Sequence, residues 1–484
     1  MKIIVVYDDT GRKSEVIADI IGGNGFADVV VKKRRLEEYM KESLEKVYGE
    51  VSWNRVHSFF EYAELLKKLE YFSADSAKVI HCFSNYIVAD EEKASLSFKK
   101  LEYIDEPYGA LENGKSVAAF FPDVKSYLGF LKNVSSGNKA WDLARNIPET
   151  FEIEGLVDIG STQNFIQCVT GNFDSRYFNS LKGNEYTVVK TSDKKEKIKA
   201  EYEFYKLLPE DMKHWFVMPF DYKEDENTAS YSMERLHMTD LSIKWVHGSM
   251  GEDEFSKLCD KFFYFFKCRH ARACEPKEYE DKANALYVDK VLERIEALKA
   301  HPAYEKIDAL TKVSEDLKPE ALLDQYFELK KKIESKVRFK AELVIGHGDP
   351  CFANTLYNKS TQTLKFIDPK GALTEDEMWT NPYYDVAKLS HSICGGYDFF
   401  NNGLFDIKVS EDFSLELEIP FDNSKYKEIF KKKLEENGFD YDTVRIYEVS
   451  LFLSMLPLHM DNPHKVLGFM LNAKNILKEL KKDV

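Results

Sequence analysis

The sequence predicts a small α/β amino-terminal domain followed by an α+β unit, itself a β-rich lobe and then a larger helical lobe. Three observations carry that prediction. Short β-branched runs alternate with amphipathic stretches over roughly the first 135 residues, and β-type runs dominate from about Glu152 to Met233. From about Leu241 onward the apolar pattern is almost wholly helical.

In chain order, Ile3–Tyr7, Asp28–Val31, Lys78–Phe83 and Ser116–Phe120 have the character of buried strands. Leu36, Tyr39, Met40, Leu44 and Val47 share one face of a helix between them, which suits a mostly parallel sheet. The glycines of residues 21–25 follow a helix-like stretch rather than a first strand, so they read as a turn and not as a dinucleotide fingerprint. Asp8 and Asp9 close the first strand, at the edge where open α/β sheets bind ligands. Residues 134–138, Val-Ser-Ser-Gly-Asn, read as the linker. Beyond it, strands are expected at Asn164–Val169, Tyr186–Lys190, Val217–Phe220 and Ser230–Met233, interrupted by a helix from Lys195 to Leu208. Phe255, Leu258, Phe262, Phe263 and Phe266 then line one helical face. The expected domains are therefore 1–135, 150–236 and 237–484.

Bulk properties narrow the function classes. At 484 residues, two or three domains are expected. A formal charge of −15 argues against nucleic acid or an anionic membrane surface as the main partner, because both reward a basic face. No run approaches the ~18 apolar residues of a membrane span, and the apolar start before Asp8 is too short for a signal-peptide core. Seven widely spread cysteines suit reduced thiols and a cytoplasmic location. Cys268 and Cys274 flank His270, but no second ligand pair accompanies them as a zinc site requires.

The stretch HGDPCFANTLYN, His347 to Asn358, is too polar for a core strand and too apolar for a solvated loop. It places Asn354 five residues after Asp349, and an apolar run ending in Asp368 follows closely. Phosphoryl transfer from a nucleotide needs a carboxylate to orient and deprotonate the accepting hydroxyl, and oxygen ligands for magnesium. Magnesium is a hard ion that takes carboxylate and amide oxygens, which accounts for Asp and Asn rather than Cys or His. Asp349, Asn354 and Asp368 fit that scheme.

HGDPCFANTL followed by LKFIDPKGA resembles the catalytic and metal-binding loops of the aminoglycoside phosphotransferase and choline kinase superfamily, relatives of protein kinases. The resemblance implies a bilobal protein-kinase-like fold over roughly residues 155 to 400, with ATP and Mg2+ as cofactors. It makes Asp349 the catalytic base and Asn354 and Asp368 the metal ligands. Pro350 stands where the family has an aromatic or aliphatic residue, and Lys370-Gly371 follows the metal aspartate. Upstream, residues 186–190 resemble the strand of the phosphate-binding lysine, here Lys190. Residues 200–208 resemble the helix whose glutamate pairs with it, Glu201 by spacing, with Glu203 as the alternative. The resemblance further implies a phosphate-covering hairpin around Ser161 and an adenine-facing connector at Met233-Glu234. It gives Asp385 the bracing of the catalytic loop and His347 a packed structural role.

The acceptor is expected to be a small-molecule alcohol: a sugar, a polyol or an amino alcohol. Aromatic residues after the metal aspartate, Trp379, Tyr383, Tyr384, Tyr397, Phe399 and Phe400, could face a quaternary ammonium or a sugar, or could be core. Residues 381–399 also resemble kinase-type proteins of bacterial surface-polysaccharide gene clusters. Two alternatives stay open: a bifunctional nucleotidyltransferase and kinase, and a non-catalytic pseudokinase that binds nucleotide as a scaffold.

Overall fold

The computed structural model describes residues 2–71, 77–170, 186–312, 314–411 and 414–483. It divides into two compact units, Met1–Leu181 and Lys182–Val484.

The first unit is built on a six-stranded sheet. Its order is Ser52–Val56, Ile3–Asp8, Lys78–Phe83, Lys115–Phe121, Tyr108–Glu112 and Glu149–Glu152. The first three strands are parallel, as expected from their connection through helices. Lys115–Phe121 then pairs antiparallel to both of its neighbours, so the sheet is mixed, with one reversed strand among five that run the same way. The hairpin turn at Asn113-Gly114 makes that reversal possible, since both residues adopt positive φ. Val30-Val31 lies outside the main sheet, in a two-stranded ribbon with Arg34-Arg35. Ile3 to Tyr7 are all buried, as befits a strand covered on both faces.

Two further expectations change here. Residues 134–138 are not an interdomain linker: they end the helix Val124–Ser135, and the chain returns to the same sheet through Glu149–Glu152. The stretch 164–169 is not a strand but part of the helix Thr162–Val169, with Phe165, Ile166 and Cys168 buried on one side. Residues 149–169 thus belong to the first unit, whereas the sequence assigns them to the β-rich lobe.

The second unit opens with a three-stranded antiparallel sheet, in the order Thr187–Ser192, Ala229–Glu234, Pro219–Glu224. The helix Lys195–Leu207 packs on it through Ile198, which shares a small core with Ala229 and Tyr231. The rest is mainly helical around one large apolar core. Glu252–Cys268 contributes the expected phenylalanine face; its first turn carries Glu252, Asp253 and Glu254, which complement the helix dipole. Tyr441–Met455 runs through the centre, and every residue from Thr443 to Met455 is buried. Burying each large apolar side chain contributes about 1.5–3 kcal/mol, which makes this core the main stabilising element of the unit. No helix among the described residues is long and apolar enough to cross a membrane.

Candidate active site

The strand Glu342–Ile345 delivers the chain into residues 346–350, and a buried carboxylate fixes the loop that follows. Asp385, in the first turn of Pro382–Ile393, accepts the backbone N–H of His347 at 2.9 Å and that of Gly348 at 2.8 Å. The Arg269 guanidinium lies 3.1 Å away and balances its charge. A buried ion is tolerable only when so paired and hydrogen-bonded.

His347 ties this loop to the next one. Its Nδ1 accepts from the backbone N–H of Asp349 at 3.0 Å, and its Nε2 lies 2.9 Å from the carbonyl of Ile367. A carbonyl can only accept, so the proton sits on Nε2 and the ring is neutral. Burial pushes the His347 pKa down, in spite of the nearby Asp385 and Asp349 carboxylates. Phe216 stacks on the ring at 5.7 Å with an 8° interplanar angle. Gly348 has φ +83°, and a Cβ there would lie 2.5 Å from Cβ of Lys370, so the close approach of the two loops requires glycine.

Asn354 ends a short 3-10 turn, Phe352–Asn354, before the hairpin Thr355–Asn358 and Thr363–Phe366. Its Nδ2 donates to the carbonyl of Asp349 at 3.0 Å, which orients the amide and leaves its oxygen for another partner. The N–H of Ile367 donates to the carbonyl of Asn354 at 3.0 Å, so Asp368 emerges beside Asn354. Asp368 has φ +55°, a left-handed conformation uncommon outside glycine.

Lys190, on Thr187–Ser192, lies 2.7 Å from Glu201 Oε2 and 2.8 Å from Asp368 Oδ1. The Glu201 side chain has no solvent exposure and also accepts from the Tyr231 hydroxyl at 2.9 Å. Glu203 instead pairs with Lys206 at 2.9 Å on the solvent side. Glu201 rather than Glu203 is thus the glutamate paired with Lys190. Gly371 accounts for part of the Lys-Gly after Asp368: at φ +87°, its Cβ would lie 2.7 Å from the carbonyl carbon of Ala200. The loop of Asp368 rests directly on the helix of Glu201, and the N–H of Ala372 donates to the carbonyl of Ala200 at 3.0 Å.

Asp349 meets a partner that sequence inspection overlooked. Lys388 Nζ lies 3.1 Å from Asp349 Oδ1, with the aspartate 40% and the lysine 13% exposed. Surrounding protein alone would raise the Asp349 pKa, but Lys388, with smaller help from His347 and Lys290, holds it below the usual carboxylate value. Lys290 donates to the Tyr384 hydroxyl at 3.1 Å. Burial opposes ionisation of Tyr384, yet Lys388 and Lys290 together lower its pKa.

The remaining expected residues are placed less uniformly. Met233 and Glu234 end the central strand of the small sheet, and the chain leaves them toward Thr239–Asp240, which pairs with Leu356-Tyr357. Ser161 is in the first unit, where its Oγ accepts the N–H of Asn164 at 3.2 Å as the N-cap of Thr162–Val169. A helix start, not a hairpin, occupies that stretch, so the local structure expected around Ser161 is corrected. The aromatic set after Asp368 is mostly core: Tyr383, Tyr384, Phe399 and Phe400 are buried, and Arg272 covers the Trp379 ring at 5.1 Å. His391 is buried and stacks on Tyr397 at 4.2 Å, and burial drives its pKa far down, which fits a packing role.

No protein-family model and no curated protein matches the chain.

Proposed function

We propose that the chain is an ATP-dependent phosphotransferase that transfers the γ-phosphoryl group of ATP to a hydroxyl of a small molecule. The observation that carries this reading is the convergence of Lys190 on both Glu201 and Asp368, with Asn354 and Asp349 on the loop next to Asp368. The small antiparallel sheet with its helix, followed by a large helical body, suits a bilobal protein-kinase-like arrangement.

Asn354 and Asp368 offer the amide and carboxylate oxygens that magnesium prefers, and the Asn354 oxygen is left free by its own Nδ2 contact. Bound there, Mg2+ would offset phosphate charge. The other roles fall to the chain itself. Lys190, gripped by Glu201, neutralises phosphate oxygens. Met233 and Glu234 lie at the connector where backbone groups would meet adenine. Asp349 orients the acceptor and takes its hydroxyl proton as the acceptor oxygen bonds to the γ-phosphorus. The bond from that phosphorus to the β,γ-bridging oxygen breaks, and ADP leaves with the bond's electrons. Asp385 and His347 keep the base in register by holding the backbone N–H groups of His347, Gly348 and Asp349.

Lys388 bears on the acceptor. An ammonium 3.1 Å from the base repels a cationic alcohol brought to the same carboxylate, which favours a sugar or polyol over choline-like molecules. The context of surface-polysaccharide synthesis rests on the resemblance of residues 381–399 alone. An ADP-release screen across sugars, polyols and amino alcohols, with and without Mg2+, tests the proposal. Magnesium-dependent release with a neutral hydroxyl acceptor is the expected result. Tight ATP binding without turnover on any acceptor would favour the pseudokinase alternative.

A further inference from the structure

The first unit contains a crevice that the phosphotransferase reading does not use. From Ile3–Asp8 the chain passes to Ser52–Val56 on one side, then crosses to Lys78–Phe83 on the other. The strand order therefore reverses between the carboxyl ends at Asp8 and Phe83, the kind of switch point at which open α/β sheets bind ligands. A cavity of about 300 Å³ lies at that point. Topology and cavity are independent observations, and they coincide.

The lining specifies a chemistry. Phe59, Tyr62, Phe83 and Trp141 supply aromatic walls, with Phe83 and Trp141 edge to face at 6.0 Å. Phe59 and Trp141 remain 45% and 43% exposed, so both rings are accessible to a bound molecule. Arg12 and Lys139 stand at the same cavity, and their side chains form no ion pair or hydrogen bond with the described residues. Uncommitted cations beside a pocket are informative on a chain of net charge −15.

The acids nearby do not cancel them. Asp8 Oδ1 accepts from both the N–H and the hydroxyl of Thr10, at 2.9 and 2.7 Å, and its Oδ2 lies 3.1 Å from His81 Nε2. His81 is held in turn by the Tyr127 hydroxyl at 3.0 Å. Asp8 thus shapes the loop that carries Arg12. Asp9 is occupied by Ser84, Ala27 and Arg55. Asp9, Asp28 and His57 approach within 4.8 Å of one another, but the Arg55 guanidinium already bridges the two carboxylates, so the trio offers no cation site.

We propose that this crevice binds a nucleoside phosphate, with the base against the aromatic walls and the phosphate toward Arg12 and Lys139. The volume falls at the lower end of small-molecule sites, which suits a mononucleotide.

The test uses the full chain carrying Lys190→Ala and Asp368→Asn, so that nucleotide binding at the proposed phosphotransfer site is suppressed. Calorimetric titration with AMP, GMP, CMP and UMP should give one saturable site for at least one of them. Arg12→Glu should weaken it about tenfold or more, the loss expected for a charge-assisted contact, and Trp141→Ala should weaken it as well. Arg12 is exposed, so its replacement should leave the melting temperature unchanged and exclude misfolding as the cause. The unphosphorylated nucleoside should bind more weakly than its monophosphate. The proposal is overturned if none of the four binds at millimolar concentration, if binding is indifferent to both substitutions, or if inorganic phosphate competes as well as the nucleotide.

Discussion

Lys388 and Asp349 form an ion pair of 3.1 Å between a largely covered ammonium and a partly open carboxylate. Lys388 lies three residues after Asp385 on the same helix. One helix face therefore both braces the loop and charges its aspartate. The consequence for Asp349 is a carboxylate that stays ionised to lower pH than an ordinary aspartate. Its contribution to stability is present above the unfolded-state pKa and is lost as pH falls through the depressed folded value.

Lys388→Met should remove the main cause of that depression and let the Asp349 pKa rise. The acid limb of the pH profile of kcat/KM should move toward neutrality, while ATP binding at neutral pH stays near its original value. An unmoved acid limb in a folded variant would show that Asp349 is not the group being titrated.

Asp349→Asn should retain magnesium-dependent ATP binding and lose turnover by roughly 10² to 10⁴-fold, the usual worth of a positioned general base. Asp368→Asn should instead lose magnesium-dependent binding together with turnover. Calorimetric ATP titrations with and without Mg2+ distinguish the two. Reversal of the two phenotypes would exchange the assigned roles.

Lys190→Met should raise KM for ATP and also destabilise the protein by about 3 kcal/mol, because it removes the main partner of a fully covered Glu201. Adding Glu201→Gln should recover part of that stability without restoring ATP affinity. Glu203→Gln should change neither. Denaturant titration reports the stability arm, and a double variant less stable than Lys190→Met would contradict the assigned pairing.

Asp398 gives a pH-dependent stability prediction. Its side chain is fully buried, and a hydrogen bond from Ser392 offsets that burial only in part. Burial, reinforced by nearby carboxylates such as Asp240, raises its pKa to about 7. A raised folded pKa means the favourable protonated state is fully present below about pH 4 and is lost as pH climbs toward 7. Asp398→Asn should therefore raise the melting temperature at pH 8 more than at pH 5. Equal effects at both values would count against a buried titration.

Much of the candidate site could be read in the sequence because its parts are local. Asp349, Asn354 and Asp368 fall within one loop and one hairpin, and Glu201 was fixed by its distance from Leu207-Leu208. Lys388 escapes that reading: it shares a helix face with Asp385 at i+3, but a lysine at that spacing usually points to solvent. Ser161 misled for a different reason. Phe165 and Ile166 have strand-like composition, yet Ser161 caps a helix, and the cap signal is weaker than the hydrophobic run. The supposed linker failed because Ser-Ser-Gly-Asn marks a helix end, whereas the chain's return to the sheet depends on Gly109 pairing with Thr150, a contact far away in sequence.

The left-handed backbone of Asp368 has a bearing on drift. Glycine at that position would relieve about 1–2 kcal/mol of steric cost, and the partly exposed pair with Lys190 returns about 1 kcal/mol or less. Asp368 is thus at best neutral for folding, and under the proposed function its advantage lies in the chemistry. In duplicated or diverged copies released from selection for turnover, position 368 should be among the first to change, with glycine or asparagine accumulating there while Asp385, which the fold itself needs, persists.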